Sequence, residues 1–369
     1  MLIALSGGID SAVSAYLLIK QGYQVEAVFM KNWSSTTGLI NNECPWLNDR
    51  QEALRVAAFL RIPLHTLDFE KQYQKNVMNY FFAEYKAGRT PNPDVMCNKE
   101  IKFKLLYNWA MKNGFEFLAT GHYAKISSKK LVVSIKGKTK EGRMIHDTCY
   151  MLLRSADEFK DQTYFIYNIK TEQLPHILFP IGGMKKPAVK AMAKKIGLPN
   201  QGRKESMGLC FVGKIRLKEF LGQKLKPKKG SIKDQDGQIL GQHEGLSNYT
   251  IGQRQGIKVG GKGPYFVFKK DLGTNTLHVT NDSEDKRLFL KEIQLHSVNW
   301  ICSAYQLPAT SYQLTGRYRH QGVLVSLTIR QIKKDLYQVA FNKPQKAIAS
   351  GQSLVLYKGK ECVGGGVIV

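Results

Sequence analysis

Apolar runs alternate with amphipathic stretches along the first 120 residues of the chain. Four short apolar runs have the length and composition of buried strands: residues 2–5, 25–30, 64–69 and 115–120. Between them, apolar residues recur at helical spacing over residues 12–19, 49–60, 73–85 and 101–112. Strands that alternate with helices of this length predict β-α-β units around a parallel sheet. In such sheets the ligand lies at the carboxyl ends of the strands.

The pattern changes towards the carboxyl terminus. A basic stretch at residues 125–143 predicts a hairpin or an exposed loop, and prolines interrupt the helical periodicity over 160–197. After about residue 210, short alternating segments separated by Asp-Gly, Gly-Gly and Asn-Asp turns are typical of β-structure. We therefore predict an α/β chain with a parallel-sheet domain at residues 1–212, a small central β-rich domain at 213–284 and a C-terminal β-barrel at 285–369.

Composition adds a strong positive charge to this picture. The 369 residues include 55 Lys and Arg against 29 Asp and Glu, a formal charge of +26. Such an excess favours a polyanionic partner, most commonly nucleic acid, over a general basic bias. No apolar run approaches the roughly 20 residues of a membrane-spanning helix, and the first residues lack the basic leader of a signal peptide. We expect a soluble cytoplasmic protein with no membrane partner.

The sharpest local signal is Ser-Gly-Gly-Ile-Asp-Ser at residues 6–11, between the first predicted strand and the first predicted helix. Two glycines allow the backbone to approach a phosphate closely, and the helix start adds free N–H groups and a positive dipole end. Ser6 and Ser11 add hydroxyl donors, while Asp10 either holds a magnesium ion or positions the loop. This context favours phosphate binding over an ordinary strand-to-helix turn.

A second Gly-rich stretch, at residues 256–263, nearly matches a Walker A loop. It lacks the Ser or Thr that binds magnesium, and a strand pattern follows it where a helix is required. We interpret it as a β-turn or a basic loop that faces RNA.

Two of the six cysteines lie in electropositive loops. Cys97 ends a Pro-containing loop within residues 88–100, and we expect it at a helix start beside Lys99, where the pKa of a thiol is lowered. Cys210 lies in a Gly-containing loop near Arg203 and Lys204. The alternative for each is a small buried apolar residue, the role that we assign to the other four: Cys44, Cys149, Cys302 and Cys362. Without a C-x-x-C pair, we predict neither a disulfide scaffold nor a metal site.

The loop at residues 6–11 resembles the S-G-G-x-D-S loop of the ATP pyrophosphatases, which cleave ATP between its α- and β-phosphates. Together with the two cysteine loops, it resembles the tRNA-specific 2-thiouridylases within that group. Further matching motifs follow in family order over nearly the whole chain: Met-Lys-Asn-Trp at 30–33, Ala-Thr-Gly-His-Tyr at 119–123, Lys-Asp-Gln-Thr-Tyr-Phe at 160–165, Thr-Ile-Gly-Gln-Arg-Gln-Gly at 250–256, Arg-Tyr-Arg at 317–319 and Gly-Gln at 351–352. Leu5, Ile9 and Glu205 depart from the residues usual in the family, and the longer Glu205 bears on how Cys210 is positioned.

The resemblance implies an N-type ATP pyrophosphatase domain at residues 1–212 and a role for particular residues. ATP binding is implied for Ala4, Leu5, Ser6, Gly7, Gly8, Ile9, Asp10, Ser11, Met30 and Gly121. Contact with tRNA is implied for Asn92, Pro93, Asp94, His122, Lys160, Asp161, Gln162, Arg317, Tyr318 and Gln352. Cys210 would carry sulfur as a persulfide and Cys97 would be its partner thiol, the two closing a transient disulfide after transfer.

The implied reaction makes 2-thiouridine at the wobble position of tRNA anticodons. ATP, bound with Mg²⁺, adenylates the uracil C2 oxygen, so that AMP becomes the leaving group and pyrophosphate is released. The persulfide sulfur of Cys210 then attacks C2, or Cys97 first reduces that persulfide and the released sulfide attacks C2. Both routes stay open. Asp94 acts as general base or orients the target base, or it is only a turn residue. The expected sulfur donor is a cysteine desulfurase or a sulfur-relay protein.

Alternatives stand beside this interpretation. Another ATP pyrophosphatase, for instance one that uses the adenylate for amination, would need neither Cys97 nor Cys210. An RNA-binding protein with a vestigial nucleotide fold would release no pyrophosphate. Among single residues, His122 is equally a structural histidine, Lys160 a solvated charge and Arg317 part of the polar face of a strand. The basic segment 125–147 receives no function.

Overall fold

The computed structural model describes residues 1–35, 45–135, 143–204, 212, 215–257, 259–260, 264–301 and 311–369. Residues 205–211, which include the predicted site residue Cys210, lie outside the described residues, as do residues 258 and 261–263 of the Gly-rich stretch 256–263.

The first domain is built on a parallel sheet whose strand order is β3-β2-β1-β4-β7. The strands are β1 (Leu2–Ala4), β2 (Glu26–Lys31), β3 (Leu64–Asp68), β4 (Leu118–Thr120) and β7 (Ile177–Leu178). Alternate residues of a strand enter different cores: Leu2 and Ala4 pack on one face, and Ile3 packs on the other. Both faces are therefore covered, which explains the continuous apolar runs in the sequence. The predicted parallel sheet is confirmed.

Helices cover the two faces of this sheet. One face packs against α1 (Ile9–Lys20), α2 (Pro45–Leu60) and α8 (Lys186–Lys195). The other face packs against two longer helical stretches. The first consists of α3 (Glu70–Tyr73), a π-helical segment (Gln74–Met78) and α4 (Asn79–Lys86). The second consists of α5 (Pro93–Cys97), a second π-helical segment (Asn98–Leu106) and α6 (Tyr107–Lys112). Short helical turns, α7 (Thr163–Ile166) and a 3₁₀ turn (Thr171–His176), precede β7.

The position expected for Cys97 at a helix start is wrong. The helix begins at Pro93, with Asn92 as its N-cap accepting a hydrogen bond from the Val95 amide at 3.2 Å. Cys97 is the fifth helical residue, and the π-helical segment continues the helix beyond it. Because the favourable field of a helix N-terminus falls off within the first turn, Cys97 lacks the N-terminal position that the sequence suggested.

The basic stretch after β4 forms a long hairpin of β5 (Ala124–Ile135) and β6 (Arg143–Arg154), as predicted. Its second strand pairs with the last strand of the C-terminal barrel, Leu152 lying opposite Cys362. The hairpin therefore belongs to the first domain by sequence and to the barrel sheet by hydrogen bonding.

The central region is a small sheet in the order β10-β11-β8-β9. Its strands are β8 (Gly230–Lys233), β9 (Ile239–His243), β10 (Phe266–Asp271) and β11 (Thr276–Thr280), preceded by α9 (Leu217–Gly222) and joined by a 3₁₀ turn (Leu246–Asn248). The Gly-rich stretch at 256–263 leads into β10, a strand, so the helix of a Walker A site does not follow it.

The C-terminal region is a closed barrel, as predicted. After a 3₁₀ turn (Lys286–Leu288) come β12 (Phe289–Trp300), β13 (Tyr312–Arg317), β14 (Val325–Lys333), β15 (Leu336–Lys346), β16 (Ser353–Lys358) and β17 (Glu361–Ile368). The order is β12-β15-β14-β13-β16-β17, and pairing of β12 with β17 closes the ring. The domain boundaries at 212/213 and 284/285 stay predictions.

A buried ion cluster joins the first domain to the barrel. Asp161 is fully buried, and one of its carboxylate oxygens lies 3.3 Å from Nη1 of Arg317 on β13 and 3.5 Å from Nε of Arg154 on β6. Arg317 is itself only 5% exposed. The same carboxylate accepts hydrogen bonds from the Ser155 amide and from the amide and hydroxyl of Thr163. Buried charges are tolerated when they are paired and hydrogen-bonded in this way.

Replacing Asp161 with alanine should destabilise the protein strongly, because the buried Arg317 would lose its carboxylate partner and Arg154 would keep only the exposed Glu158. We expect a loss of about 3–5 kcal/mol in the free energy of unfolding, measured by urea denaturation. Glu244→Ala is the control, since Glu244 forms an exposed ion pair with Lys218 and should cost at most about 1 kcal/mol. Equal losses in the two variants would contradict the importance of the buried cluster.

Candidate functional site

The loop at residues 6–11 joins β1 to α1 at the carboxyl edge of the parallel sheet. Gly7 has a φ of +77°, a conformation that favours glycine. The Ser11 hydroxyl accepts a hydrogen bond from the Ser6 amide at 3.2 Å and donates one to the Gly8 carbonyl at 3.0 Å. These bonds fix the curve of the loop immediately before the helix. The arrangement is that of an anion cradle at a helix N-terminus.

The Gly7 carbonyl receives two hydrogen bonds from a distant part of the chain. Asn200 donates from Nδ2 at 2.8 Å and Arg203 from Nη1 at 3.1 Å. Arg203 also forms an ion pair with Asp49 of α2, and burial raises the pKa of Asp49 despite the opposing guanidinium. A Cβ at Gly7 would lie 2.4 Å from the Asp49 carbonyl oxygen, so the clamp leaves no room for a side chain. The chain that enters residues 205–211 is thus anchored on the loop.

Asp10 is held by Lys186 and Tyr123, to which the sequence assigned no role. The Lys186 ammonium lies 2.7 and 2.8 Å from the two carboxylate oxygens, and the Tyr123 hydroxyl donates to the first at 2.9 Å. Lys186 is 7% exposed and lies at the start of α8. The two roles predicted for Asp10 are to hold a magnesium ion and to position the loop. These contacts are those expected for a residue that positions the loop.

Ala4, Leu5, Met30 and Gly121, which are also predicted to bind ATP, lie on or directly after β1, β2 and β4. A Cβ at Gly121 would lie 2.7 Å from the Ser11 amide nitrogen, so only glycine allows β4 and its loop to approach α1 this closely. Ala4, Leu5 and Met30 have buried side chains, which contribute to the core on either side of β1.

Cys97 is fully buried within a core cluster that also contains Val95, Phe103 and Val212. Val212 is described although the residues just before it, including Cys210, are not. Asp94 lies half-buried in the first turn of α5, between the N-cap and Cys97. The structure therefore describes one of the two predicted thiols and the chain on both sides of the other.

His122 is a buried, neutral side chain. Its Nδ1 lies 2.7 Å from the Thr120 hydroxyl, and Lys102 lies 3.4 Å from its Nε2. Burial, reinforced by the charge of Lys102, lowers the pKa of His122 well below its usual value. The ring also packs beside Phe103 and Phe179. These contacts match the structural alternative for His122, and a tRNA contact by it stays a prediction.

Four of the other residues predicted to contact tRNA form hydrogen bonds or ion pairs within the protein. Gln162 accepts a hydrogen bond from the Tyr123 amide at 2.9 Å, and Asp161 and Arg317 belong to the buried ion cluster. The half-buried Tyr318 has its hydroxyl 3.5 Å from the Gln345 side chain. Contact of Asp161 or Arg317 with tRNA would require these bonds to rearrange.

The loop before α5 is fixed by both downstream regions. The Thr90 amide donates to the Ser350 carbonyl at 2.8 Å, and the Gln352 amide group donates to the Thr90 carbonyl at 2.9 Å. The Thr90 hydroxyl lies 3.2 Å from that of Thr250 in the central region. The barrel and the central region thus position the segment that carries Asn92, Pro93 and Asp94.

Neither a metal cluster nor a membrane-spanning helix occurs in the described ranges. No grouping of three or more His, Cys, Asp or Glu side chains there could hold a metal ion. In the same ranges, no helix combines the length and apolar character needed to cross a bilayer.

Family models match three successive parts of the chain. Residues 1–214 match "tRNA methyl transferase HUP domain", residues 218–281 match "tRNA methyl transferase PRC-barrel domain" and residues 290–368 match "Aminomethyltransferase beta-barrel domain". The first model covers the parallel-sheet domain and the third covers the barrel.

Curated relatives match over the full length. The tRNA-specific 2-thiouridylase MnmA 2 of Geobacillus kaustophilus is 41% identical over 369 residues, covering 100% of this chain and 94% of that protein. The tRNA-specific 2-thiouridylase MnmA of Enterococcus faecalis is 41% identical over 372 residues, with the same coverages. A solved 4-thiouridine synthetase–RNA complex with bound ATP is 19% identical, covers 60% of this chain and 49% of that one, and has a TM-score of 0.37, too low to carry an argument. On the full-length matches, this chain belongs to the tRNA-specific 2-thiouridylase family.

Proposed function

We propose that this protein converts the wobble uridine of tRNA anticodons to 2-thiouridine, using ATP and persulfide sulfur carried by Cys210. The observation that carries the proposal is the double hydrogen bond from Asn200 and Arg203 to the Gly7 carbonyl. It ties the chain that leads to Cys210 to the anion cradle.

Chain length limits how far Cys210 lies from Arg203 and from Val212. Cys210 lies seven positions after Arg203, a span of at most about 25 Å. It lies two positions before Val212, a span of at most about 7 Å. Val212 is a buried residue of the large core cluster that also contains Cys97. These limits allow a site in which both thiols approach one bound nucleotide.

The cradle suits the triphosphate of ATP. Backbone N–H groups at the start of α1 and the hydroxyls of Ser6 and Ser11 would bind phosphate oxygens. Lys186 already neutralises Asp10, so Mg²⁺ would enter with ATP as a counter-ion of its phosphates, with Asp10 orienting the loop. When bound, ATP supplies an adenylate, which makes the C2 oxygen of uracil part of a good leaving group.

Sulfur transfer by either route ends in the same products. In one, the outer sulfur of the Cys210 persulfide attacks C2 and AMP leaves; the Cys97 thiolate then attacks the inner sulfur and frees the thiolated base. In the other, Cys97 attacks the inner sulfur first, and the hydrosulfide that leaves attacks C2. Both routes leave a Cys97–Cys210 disulfide. The two electrons that the cysteines lose in forming it reduce the transferred sulfur. Because Cys97 is fully buried, either route requires a local opening of its cluster.

Substrate and donor follow from the same proposal. The charge of +26 provides many cations for the phosphates of tRNA, and Asp94, half-buried in the first turn of α5, would orient the flipped uracil or accept its proton. The persulfide would come from a cysteine desulfurase or a sulfur-relay protein in the cytoplasm.

The test of the function is mass spectrometry of tRNA nucleosides after incubation with ATP and a persulfide source. We expect 2-thiouridine from the wild type and none from Cys97→Ser or Cys210→Ser, while both variants keep binding tRNA because neither thiol neutralises a phosphate. Cys149→Ser, which changes a half-buried cysteine of β6, is the control and should remain active. Full thiolation by either of the first two variants would refute the two-thiol mechanism.

Gly121→Ala should damage the nucleotide site selectively, since its methyl group would collide with the start of α1. We expect the KM for ATP in pyrophosphate release to rise at least about tenfold, the equivalent of about 1.4 kcal/mol, with little change in tRNA affinity. The matched control is Gly183→Ala, because a Cβ at Gly183 meets open space. An unchanged KM for ATP in a folded Gly121→Ala protein would argue against the cradle as the ATP site.

A further inference from the structure

Phe159 is an aromatic side chain that lies largely in solvent. It is 67% exposed, in a turn between β6 and α7. An exposed phenylalanine loses the free energy of burial, so a single one calls for no explanation by itself. What distinguishes Phe159 is how firmly its turn is held and what lies beside it.

Hydrogen bonds fix the turn that carries Phe159. The Asp157 carboxylate accepts from the Lys160 amide at 3.1 Å and from the Lys186 amide at 2.9 Å. The Ser155 hydroxyl donates to the Asp157 carbonyl at 2.6 Å. The ring is therefore presented from a rigid support, which reduces the entropy lost when a partner binds it.

The turn lies between the anion cradle and the barrel. Lys186 links it to the cradle, because its amide binds Asp157 while its ammonium binds Asp10. On the other side, the Gln321 amide group donates to the Phe159 carbonyl at 3.3 Å. A molecule bound across the cradle and the barrel would meet the Phe159 ring.

A cation lies beside the exposed ring. The Lys160 ammonium lies 5.9 Å from its centroid. Lys185, directly before the Lys186 whose amide binds Asp157, is also exposed. An exposed aromatic ring on a fixed turn with a cation beside it is an arrangement by which proteins stack unpaired nucleic-acid bases and neutralise their phosphates.

We propose that Phe159 is a stacking platform for an unpaired base of the tRNA anticodon loop, next to the uridine that is modified. This inference rests on the proposed function. A uridine turned out of the loop leaves its neighbours unstacked, and the Phe159 ring replaces the lost stacking partner for one of them. The platform recognises an aromatic face and so tolerates different bases at that position.

The test measures binding of a synthetic anticodon stem-loop RNA with 2-aminopurine beside the wobble uridine. Phe159→Ala should weaken binding by about five- to 150-fold, as expected for the loss of one base–aromatic stack, and should abolish the quenching of 2-aminopurine fluorescence. Phe159→Trp should retain both. The matched control is Phe59→Ala, which removes another exposed phenylalanine, on α2, and should change neither.

Each other outcome has a distinct meaning. Wild-type affinity and quenching in Phe159→Ala would overturn the inference and leave the proposed function intact. The same result, with thiolation reduced only when a persulfide-carrying protein replaces a small-molecule persulfide as donor, would also overturn it and assign the ring to a protein contact. Loss of RNA binding in Phe159→Ala, with no 2-thiouridine made by the wild type, would support the stacking platform and reject the thiolation reaction.

Discussion

The carbonyl oxygen of Gly7 connects the two halves of the site. Asn200 and Arg203 donate to it, and Arg203 reaches on to Asp49 of α2. A main-chain acceptor in a glycine turn thereby holds a segment almost 200 residues away in sequence. Because a Cβ at Gly7 would displace both the Asp49 backbone and Arg203, the glycine serves the clamp as much as the anion cradle. The proposed chemistry needs this contact, since it brings the chain of one thiol to the nucleotide.

The β-rich regions give the parallel-sheet domain a fixed platform. Strand β6 continues the barrel sheet, and Asp161 is locked between arginines of the hairpin and the barrel. Gln352 and Thr250 meet at Thr90, just before the helix that carries Cys97. Several residues whose motif suggested RNA contact thus maintain the relative positions of the regions. Phe159 lies exposed in the turn that directly precedes Lys160 and Asp161.

Local patterns predicted the fold well, because apolar periodicity directly reflects burial on the sheet and in the barrel. The helix before Cys97 was misplaced, although Asn92 followed by Pro93 is a typical N-cap with proline at the first helical position. Lys186, Asn200 and Arg203 could not be predicted from spacing. Each resembles a solvated polar residue until the tertiary fold brings it to Asp10 or Gly7, and the same holds for the pairing of the hairpin with the barrel.

The most direct measurement concerns the two sulfur atoms. The folded protein is oxidised mildly with a diamide-type reagent, digested without reduction and analysed by mass spectrometry for linked peptides. Convergence of the two thiols predicts a dominant Cys97–Cys210 peptide, lost in Cys210→Ser and promoted by prior turnover with ATP and tRNA. Recovery of Cys97 and Cys210 only in separate peptides, both before and after turnover, would contradict the shared site.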